Sequence, residues 1–438
     1  MTSNVTAAGG PAPDDAEAVI RPGPAVPAWV GAVELPDPPG SCPAGLPERL
    51  DPRFRGARLL VTRGGTPLAT VDVGVVDGRP DAAALTAGLA ALALRAPGAE
   101  RAPAGPPDPP VLPATVVAVC TRDRPGHVAT LLEHLRALPE AAVTLLVVDN
   151  GPSDDRTRDV VAAARERDPR LRYVRDPVGG TSRARNRALA EADALGAEVV
   201  AFIDDDVTMR PGWLAAVRAA FTGTGPDPAA RVSCVTGPVL AGTLETEAQL
   251  ASDGALGWTN GFARRRFALD APSASPLFPF APGEFGVGAN FAVRTADARA
   301  VGGFDELLGG GAPCRGGEDI EFWVRLVTSG RTLVYEPATW LWHHHRDSDD
   351  ALRAQLAGYA VGLGGYLAAV VCDPAMRRLA VRRLPAVLSH LTHLRRREAA
   401  VGVHRDDGGL APAAVLRGAS AYLRHRSRGI RRSRRTGS

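Results

Sequence analysis

"VVAFIDDDVTMRPGW", Val199 to Trp213, is the stretch on which the reading of this chain turns. An apolar run ends in three consecutive carboxylates, Asp204, Asp205 and Asp206. Adjacent anions repel, so such a cluster is either a solvated acidic turn or a cation site. Clustered carboxylate oxygens suit a hard divalent metal. In an extended segment residues i and i+2 share a side, which would let Asp204 and Asp206 face a metal while Asp205 points elsewhere.

The flanking sequence places this cluster. "TVVAVC" reads as a buried strand and "HVATLLEHLRAL" as an amphipathic helix. "VTLLVVDN" and "DDRTRDVVAAARER" repeat that pair, as do "LRYVRD" and "SRARNRALAEADAL", then "EVVAFIDDD" and "GWLAAVRAAF". Apolar strands alternating with helices predict an α/β domain, its mostly parallel sheet covered on both faces. Ligands in such sheets bind beyond the carboxyl ends of the strands. Thr121, Arg122, Arg124, Asp149 and the Asp204–Asp206 cluster all stand at strand C-termini. They therefore converge on one edge, which favours the cation site over the solvated turn. Acids and arginines there suit a phosphorylated nucleotide. Such a ligand needs a divalent cation, an anchor for base or ribose, and positive charge nearby.

Six segments, in order, carry a resemblance. They are "VAVCTRDRP", "LLVVDNGPSDD", "GGTSRARNRAL", "FIDDDV", "GVGANFAVRTADARAVGGFDELLGGG" and "RGGEDIEFWVRLVTSG". From about Ala114 to Arg346 the chain resembles a bacterial, actinobacterial-type family 2 glycosyltransferase with the GT-A nucleotide-diphospho-sugar transferase fold. The resemblance implies a nucleotide-sugar site formed by Thr121, Arg122, Arg124, Asp149, Arg183, Arg185, Asn186, Asp204 and Asp205. It implies a Mg2+ or Mn2+ site formed by Asp204, Asp206 and His343. It also implies Asp319 as catalytic base, with Glu318 as the next candidate, and an acceptor side that includes Asn290 and Asp305. The chain departs from the family at Pro177-Val178-Gly179, where Asn often precedes the glycine.

Elementary chemistry points the same way. Glycosyl transfer needs a base for the acceptor hydroxyl, in-line approach to the anomeric carbon, and stabilisation of the leaving diphosphate. A carboxylate can serve as the base and a metal can neutralise the leaving group. One base and one metal imply single displacement with inversion. Glu318 and Asp319 open the helical pattern "IEFWVRLV", where the helix dipole favours anions; simple helix capping is the structural alternative. "WLWHHHRD" supplies His343 to His345, the first of which best fits the metal position, with Arg346 available to phosphate. Trp258, in "GALGWTNGF", is the best sugar-stacking candidate, while Trp213 and Trp323 read as core.

Outside that region, residues 1–25 read as disordered and 26–95 as a small β-hairpin and helix module. Residues 96–113 read as a Pro-rich linker, 114–350 as the transferase domain, 351–423 as a C-terminal helical region and 424–438 as a basic tail. "LAGYAVGLGGYLAAVV" is shorter than the ~20 residues of a spanning helix and reads as a packed helix or a pair of short ones. "LPAVLSHLTHLRRR" is amphipathic, and "RHRSRGIRRSRRTGS" carries seven Arg and no acid, a composition suited to an anionic membrane surface. A packed helix with a disordered tail is the other reading of this region.

Composition sets the limits. The 438 residues are 45% hydrophobic with net charge +3, which does not favour a nucleic-acid partner. The bases are all Arg, as expected of a GC-rich genome, so a single Arg is weak functional evidence. Five scattered cysteines without a CxxC argue against disulfides and structural zinc. The N-terminus lacks the marks of a signal peptide, so a cytoplasmic enzyme is expected, peripheral on the inner membrane face if the basic segment binds lipid. Its partners would be a nucleotide-diphospho-sugar and a hydroxyl acceptor. Rival readings are a nucleotidyltransferase, whose pyrophosphate loop "CTRDRPG" lacks, and a non-catalytic carbohydrate-binding homologue.

Overall fold

A computed structural model describes residues 26–36, 43, 45–95, 112–139, 143–222, 231–256, 258–383 and 412–436. The expected disordered N-terminus, the helix at "LPAVLSHLTHLRRR" and nearly all of the Pro-rich linker lie outside these residues.

The first module contains β1 (Ala28–Glu34), β2 (Gly56–Arg63), β3 (Thr66–Val76), β4 (Arg79–Pro80) and α1 (Ala82–Arg95). Its sheet runs in the order β1-β2-β3-β4. The β2–β3 hairpin turns through Gly64 and Gly65, both at positive φ, which glycine adopts without Cβ strain. Leu85 and Leu89 of α1 pack with Leu59, Val71 and Val73. Strand β1, unremarked in the sequence, pairs parallel to β2 and bridges by Ala28 to Leu244. The module is seated on the following domain. Trp340 Nε1 donates to the Gly65 carbonyl at 3.1 Å, Leu60 packs on Leu240 and Trp340, and Arg58 joins Asp72 to Asp253.

The larger domain runs β5 (Thr115–Thr121), α2 (Pro125–Arg136), β6 (Val143–Asn150), α3 (Arg156–Arg165), β7 (Leu171–Asp176), α4 (Thr181–Ala194), β8 (Val199–Ile203), β9 (Val207–Met209) and α5 (Trp213–Ala219). It continues with β10 (Val232–Thr236), β11 (Val239–Ala241), α6 (Glu247–Leu256), β12 (Arg265–Phe267), β13 (Asn290–Arg294), α7 (Thr295–Ala300), α8 (Glu318–Thr328), β14 (Thr332–Tyr335) and β15 (Leu341–His343). Eight strands form one sheet in the order β12-β14-β10-β13-β8-β5-β6-β7. Strands β7, β6, β5 and β8 are parallel, whereas β13 is antiparallel to both β8 and β10. The strand segments are apolar without alternation because each face is covered by its own core.

A second sheet, β11-β15-β9, positions the site. Strand β15 runs antiparallel to β9 with His343 opposite Val207. That register sets His343 beside Asp206, and the His344 N–H donates to the Asp206 carbonyl at 2.9 Å.

α9 (Asp349–Cys372) is one continuous helix of 24 residues, where a pair of short helices was the alternative. By length and composition it could cross a membrane, but its Gly362, Tyr366 and Ala369 side is buried in the protein. The C-terminal helix, Pro412–Thr436, runs through the boundary at residue 424 where a tail was expected to begin. Glycines bring these two helices together. A Cβ at Gly364 would lie 1.9 Å from the Val415 carbonyl oxygen, and one at Gly418 1.9 Å from that of Val361. Only hydrogen fits there.

Candidate active site

The three aspartates occupy the turn between β8 and β9, not an extended strand. The turn still separates them as the i, i+2 argument required. Asp206 is buried, with Oδ1 3.1 Å from His343 Nε2 and Oδ2 accepting from Arg124 Nη2 at 3.0 Å. Asp204 is 45% exposed at its side chain and opens towards solvent. One ligand atom each from Asp204, Asp206 and His343 lie within 4.8 Å of one another. His343 Nδ1 is buried without a hydrogen-bond partner. Two carboxylates and an imidazole, one side of the group open, form a donor set that fits a divalent cation with positions left for a diphosphate.

Asp205 turns the other way. It accepts from Thr121 Oγ1 at 2.6 Å and from Arg124 Nη1. Thr121 and Asp205 are both buried. Their expected nucleotide contacts therefore give way to a structural pairing that aims Arg124 across the acidic turn. Arg122 is half exposed, its Nε 3.6 Å from Asp123 Oδ2, and it lies close to Gly179.

Asp149, at the end of β6, is fully buried. Tyr173 OH donates to its Oδ2 at 2.8 Å, and its Oδ1 has no partner. Burial raises the Asp149 pKa and the Tyr173 hydrogen bond opposes that shift. A buried carboxylate oxygen without a donor is costly unless a ligand supplies one.

On the other side of the site, Glu318 and Asp319 begin α8, as expected. Asp319 Oδ2 accepts from the Gly288 N–H at 2.9 Å and its Oδ1 from the Ile320 N–H at 2.8 Å. Arg185, 5% exposed at its side chain, links the two sides of the site. Its Nη1 lies 3.0 Å from Glu318 Oε1, its Nη2 donates to the Gly288 carbonyl at 3.0 Å and stands 4.0 Å from Asp204. The guanidinium is held over the Phe291 and Phe304 rings. It neutralises acids that would otherwise repel.

Burial, then Asp319, pushes Glu318 up to about 7 against the pull of Arg185. Desolvation by the protein around its carboxyl, then the Asp206 charge, raises Asp204 above the ordinary carboxylate value, although the side chain meets solvent on one side. For Asp206 burial is outweighed by the His343 hydrogen bond and the charges of His343 and Arg124, which hold it well below the carboxylate range. Burial and His343 lower His345 to about 4.

Other expected contacts fall elsewhere. Asn186 binds the Phe304 backbone, accepting its N–H at 2.7 Å and donating to its carbonyl at 2.9 Å. Arg183 pairs with Asp176 at 3.1 Å. Asn290 is 1% exposed, and its amide donates to the Pro238 and Thr339 carbonyls while accepting from Trp213 Nε1. Every polar atom of that side chain is used inside the core, so it does not reach an acceptor. Asp305 accepts from Tyr422 OH at 2.6 Å, tying the C-terminal helix to its loop. Trp258 packs against the His343 and His345 rings, 4.5 and 4.8 Å between centroids, and backs the histidines rather than forming an open platform.

The sequence reading missed a cavity of about 460 Å³ between the Gly311–Arg315 loop and α9, lined by Arg315, Gln355, Gly358 and Tyr359. Gln355 Nε2 donates to Tyr359 OH at 2.8 Å. Tyr359 as a whole is 39% exposed. Burial of its hydroxyl, with Gln355 opposing and the fields of Asp319, Asp204 and Glu318 adding, pushes its pKa up. Arg315 stands three residues before Glu318, so the cavity adjoins the Glu318–Asp319 side of the site.

Residues 116–232 match the profile of glycosyl transferase family 2. The chain carries a family 2 glycosyl transferase domain. Its α/β architecture, a sheet with four adjacent parallel strands and a core on each face, is the one expected from the sequence. Over 241 residues, 55% of the chain, it is 29% identical to a pre-mycofactocin glycosyltransferase of Mycobacterium tuberculosis. Over 230 residues, 51% of the chain, it is 28% identical to the succinoglycan biosynthesis protein ExoM of Rhizobium meliloti. The chain spans 45% of the first relative's length and 65% of the second's. Among solved structures the chain is similar to a mannosyltransferase of Pyrobaculum calidifontis in complex with GDP-Man and Mn2+. That similarity has a TM-score of 0.44 and 17% identity, over 72% of this chain and 91% of the other.

Proposed function

We propose that the chain is an inverting glycosyltransferase that moves a sugar from a nucleotide-diphospho-sugar to an acceptor hydroxyl. One observation carries the reading. Arg185 adjoins both a cation-ready group, Asp204, Asp206 and His343, and an acid pair at a helix N-terminus, Glu318 and Asp319. A donor site and a base site thus share one buried cation.

The unpartnered Oδ1 of Asp149 would accept a hydrogen bond from the nucleotide's base or ribose. Arg122 would meet its phosphates. A divalent cation at Asp204, Asp206 and His343 would neutralise the leaving diphosphate. The imidazole in this set favours Mn2+ over Mg2+. Asp319, its carboxylate oriented by two backbone N–H groups, takes the acceptor's proton. The acceptor oxygen then bonds to the anomeric carbon as the bond to the diphosphate oxygen breaks on the opposite face, which inverts the centre. Glu318, held partly protonated near neutrality, stays paired with Arg185. The cavity at Tyr359 and Arg315 would take the acceptor, with the tyrosine ring as its stacking face. A nucleotide-sugar donor would place this reaction in the cytoplasm.

Turnover of a panel of nucleotide-sugars, with Mn2+, with Mg2+ and with chelator, tests the proposal. Cation-dependent release of the nucleoside diphosphate supports it. A folded protein that neither hydrolyses nor transfers any donor would favour the non-catalytic reading, and pyrophosphate exchange with a nucleoside triphosphate would favour the nucleotidyltransferase.

A further inference from the structure

α9 and the C-terminal helix turn their Tyr366 and Tyr422 sides into the protein. Their opposite edges are apolar and open. On α9, Leu367 is 47% exposed and Val371, one turn later, 60%. On the C-terminal helix, Leu416 is 67% exposed and Leu423, two turns later, 50%. Close contacts of Gly364 with Val415 and of Gly418 with Val361 clamp the two helices side by side. Helical periodicity therefore sets both apolar edges on one outer side. A single exposed leucine is ordinary, but four such side chains on adjoining helices form a patch.

The charge along the C-terminal helix beside this patch has one sign. Arg417, Arg424 and Arg428 are exposed along the C-terminal helix, and Arg377 and Arg378 are exposed just after α9. Pro412–Thr436 contains no Asp or Glu. An apolar strip bordered by arginines, without acids, is the pattern of a helix that lies in the bilayer interface. Its side chains enter the acyl boundary while guanidinium groups meet anionic headgroups.

We infer that this face docks the protein on an anionic phospholipid bilayer, with Leu367, Val371, Leu416 and Leu423 inserted and the flanking arginines on lipid phosphate. The inference stands independently of the transfer reaction. It differs from a purely electrostatic tail because the apolar edge of two folded helices takes part.

Flotation of the full chain with vesicles tests it. The chain should float with phosphatidylcholine–phosphatidylglycerol vesicles and much less with phosphatidylcholine alone. A Leu416→Glu/Leu423→Glu double variant should keep the wild-type melting temperature and lose at least about tenfold in partitioning. Arg424→Glu/Arg428→Glu should weaken binding and reduce its salt dependence. The inference is overturned if the full chain does not bind the mixed vesicles, or if it binds them equally with both variants. It is also overturned if the leucine variant melts well below wild type, since that would mean protein, such as residues 384–411, already covers the face.

Discussion

Tyr173 donates its hydroxyl to Asp149 across neighbouring strands, and the other Asp149 oxygen stays buried without a donor. The tyrosine thus fixes the carboxylate so that one oxygen remains for a ligand. A hydrogen bond to a charged group contributes about 1.5–3 kcal/mol. Tyr173→Phe should therefore lower stability by about 1.5–3 kcal/mol and weaken nucleoside diphosphate binding several-fold, as urea denaturation and titration calorimetry would measure. Unchanged affinity would remove Asp149 from the nucleotide site.

Asp149, the acidic turn and the Glu318–Asp319 helix start were legible in the sequence because each closes or opens an element with a strong local signature. Tyr173 was not. Its partner depends on the register of β7 against β6, where Tyr173 faces Val147, and no local pattern encodes that offset. Asn290 was misplaced for a related reason. It begins β13, but its amide is used by Pro238, Trp213 and Thr339, all distant in sequence. The Tyr359 cavity lies between a loop that joins two of the segments carrying the resemblance and α9, which is outside all of them, so its α9 wall had no local signature. Fold-level alternation travels with the sequence, whereas side-chain partners across a sheet do not.

The Asn290 finding separates two roles. Asn290→Ala would strip hydrogen bonds from two buried carbonyls and one indole N–H. An unsatisfied buried group costs about 1–3 kcal/mol, so the variant should be destabilised by about 3 kcal/mol or more. Urea denaturation measures this. Normal stability with a raised acceptor KM would instead return Asn290 to the acceptor side.

Glu318 carries a pH signature. Its pKa in the fold is about 7, above the ordinary 4.5, because burial disfavours the charged form. The folded state holds this proton more tightly than the unfolded chain. The stabilisation is fully present below about 4.5 and is lost as pH rises through 7. Glu318→Gln removes that loss. Relative to wild type the variant should gain stability as pH rises across this window, by up to about 1.4 kcal/mol per unit. Denaturation midpoints of both proteins across this window test it, and parallel profiles would show that Glu318 is not held protonated.

Asp319→Asn keeps the side chain's size but removes its capacity to take a proton. A general base contributes typically about 10²–10⁴-fold, so kcat should fall within that range. Donor affinity and its cation dependence should be nearly unchanged. Near-normal turnover would move the base to another group, Glu318 first. Loss of cation-dependent donor binding would move Asp319 to the metal shell.

The account's central claim is that the acidic turn holds a nucleoside diphosphate through a divalent cation. The most direct test titrates UDP and GDP into the full chain with Mn2+ and with chelator, for wild type and Asp206→Ala, with circular dichroism to confirm folding. Asp206 is the carboxylate that His343 and Arg124 both hold. The account predicts that at least one diphosphate binds wild type only when the cation is present, and that folded Asp206→Ala shows no cation-linked binding. Equal affinity with and without Mn2+, or retained cation-linked binding in Asp206→Ala, would contradict it.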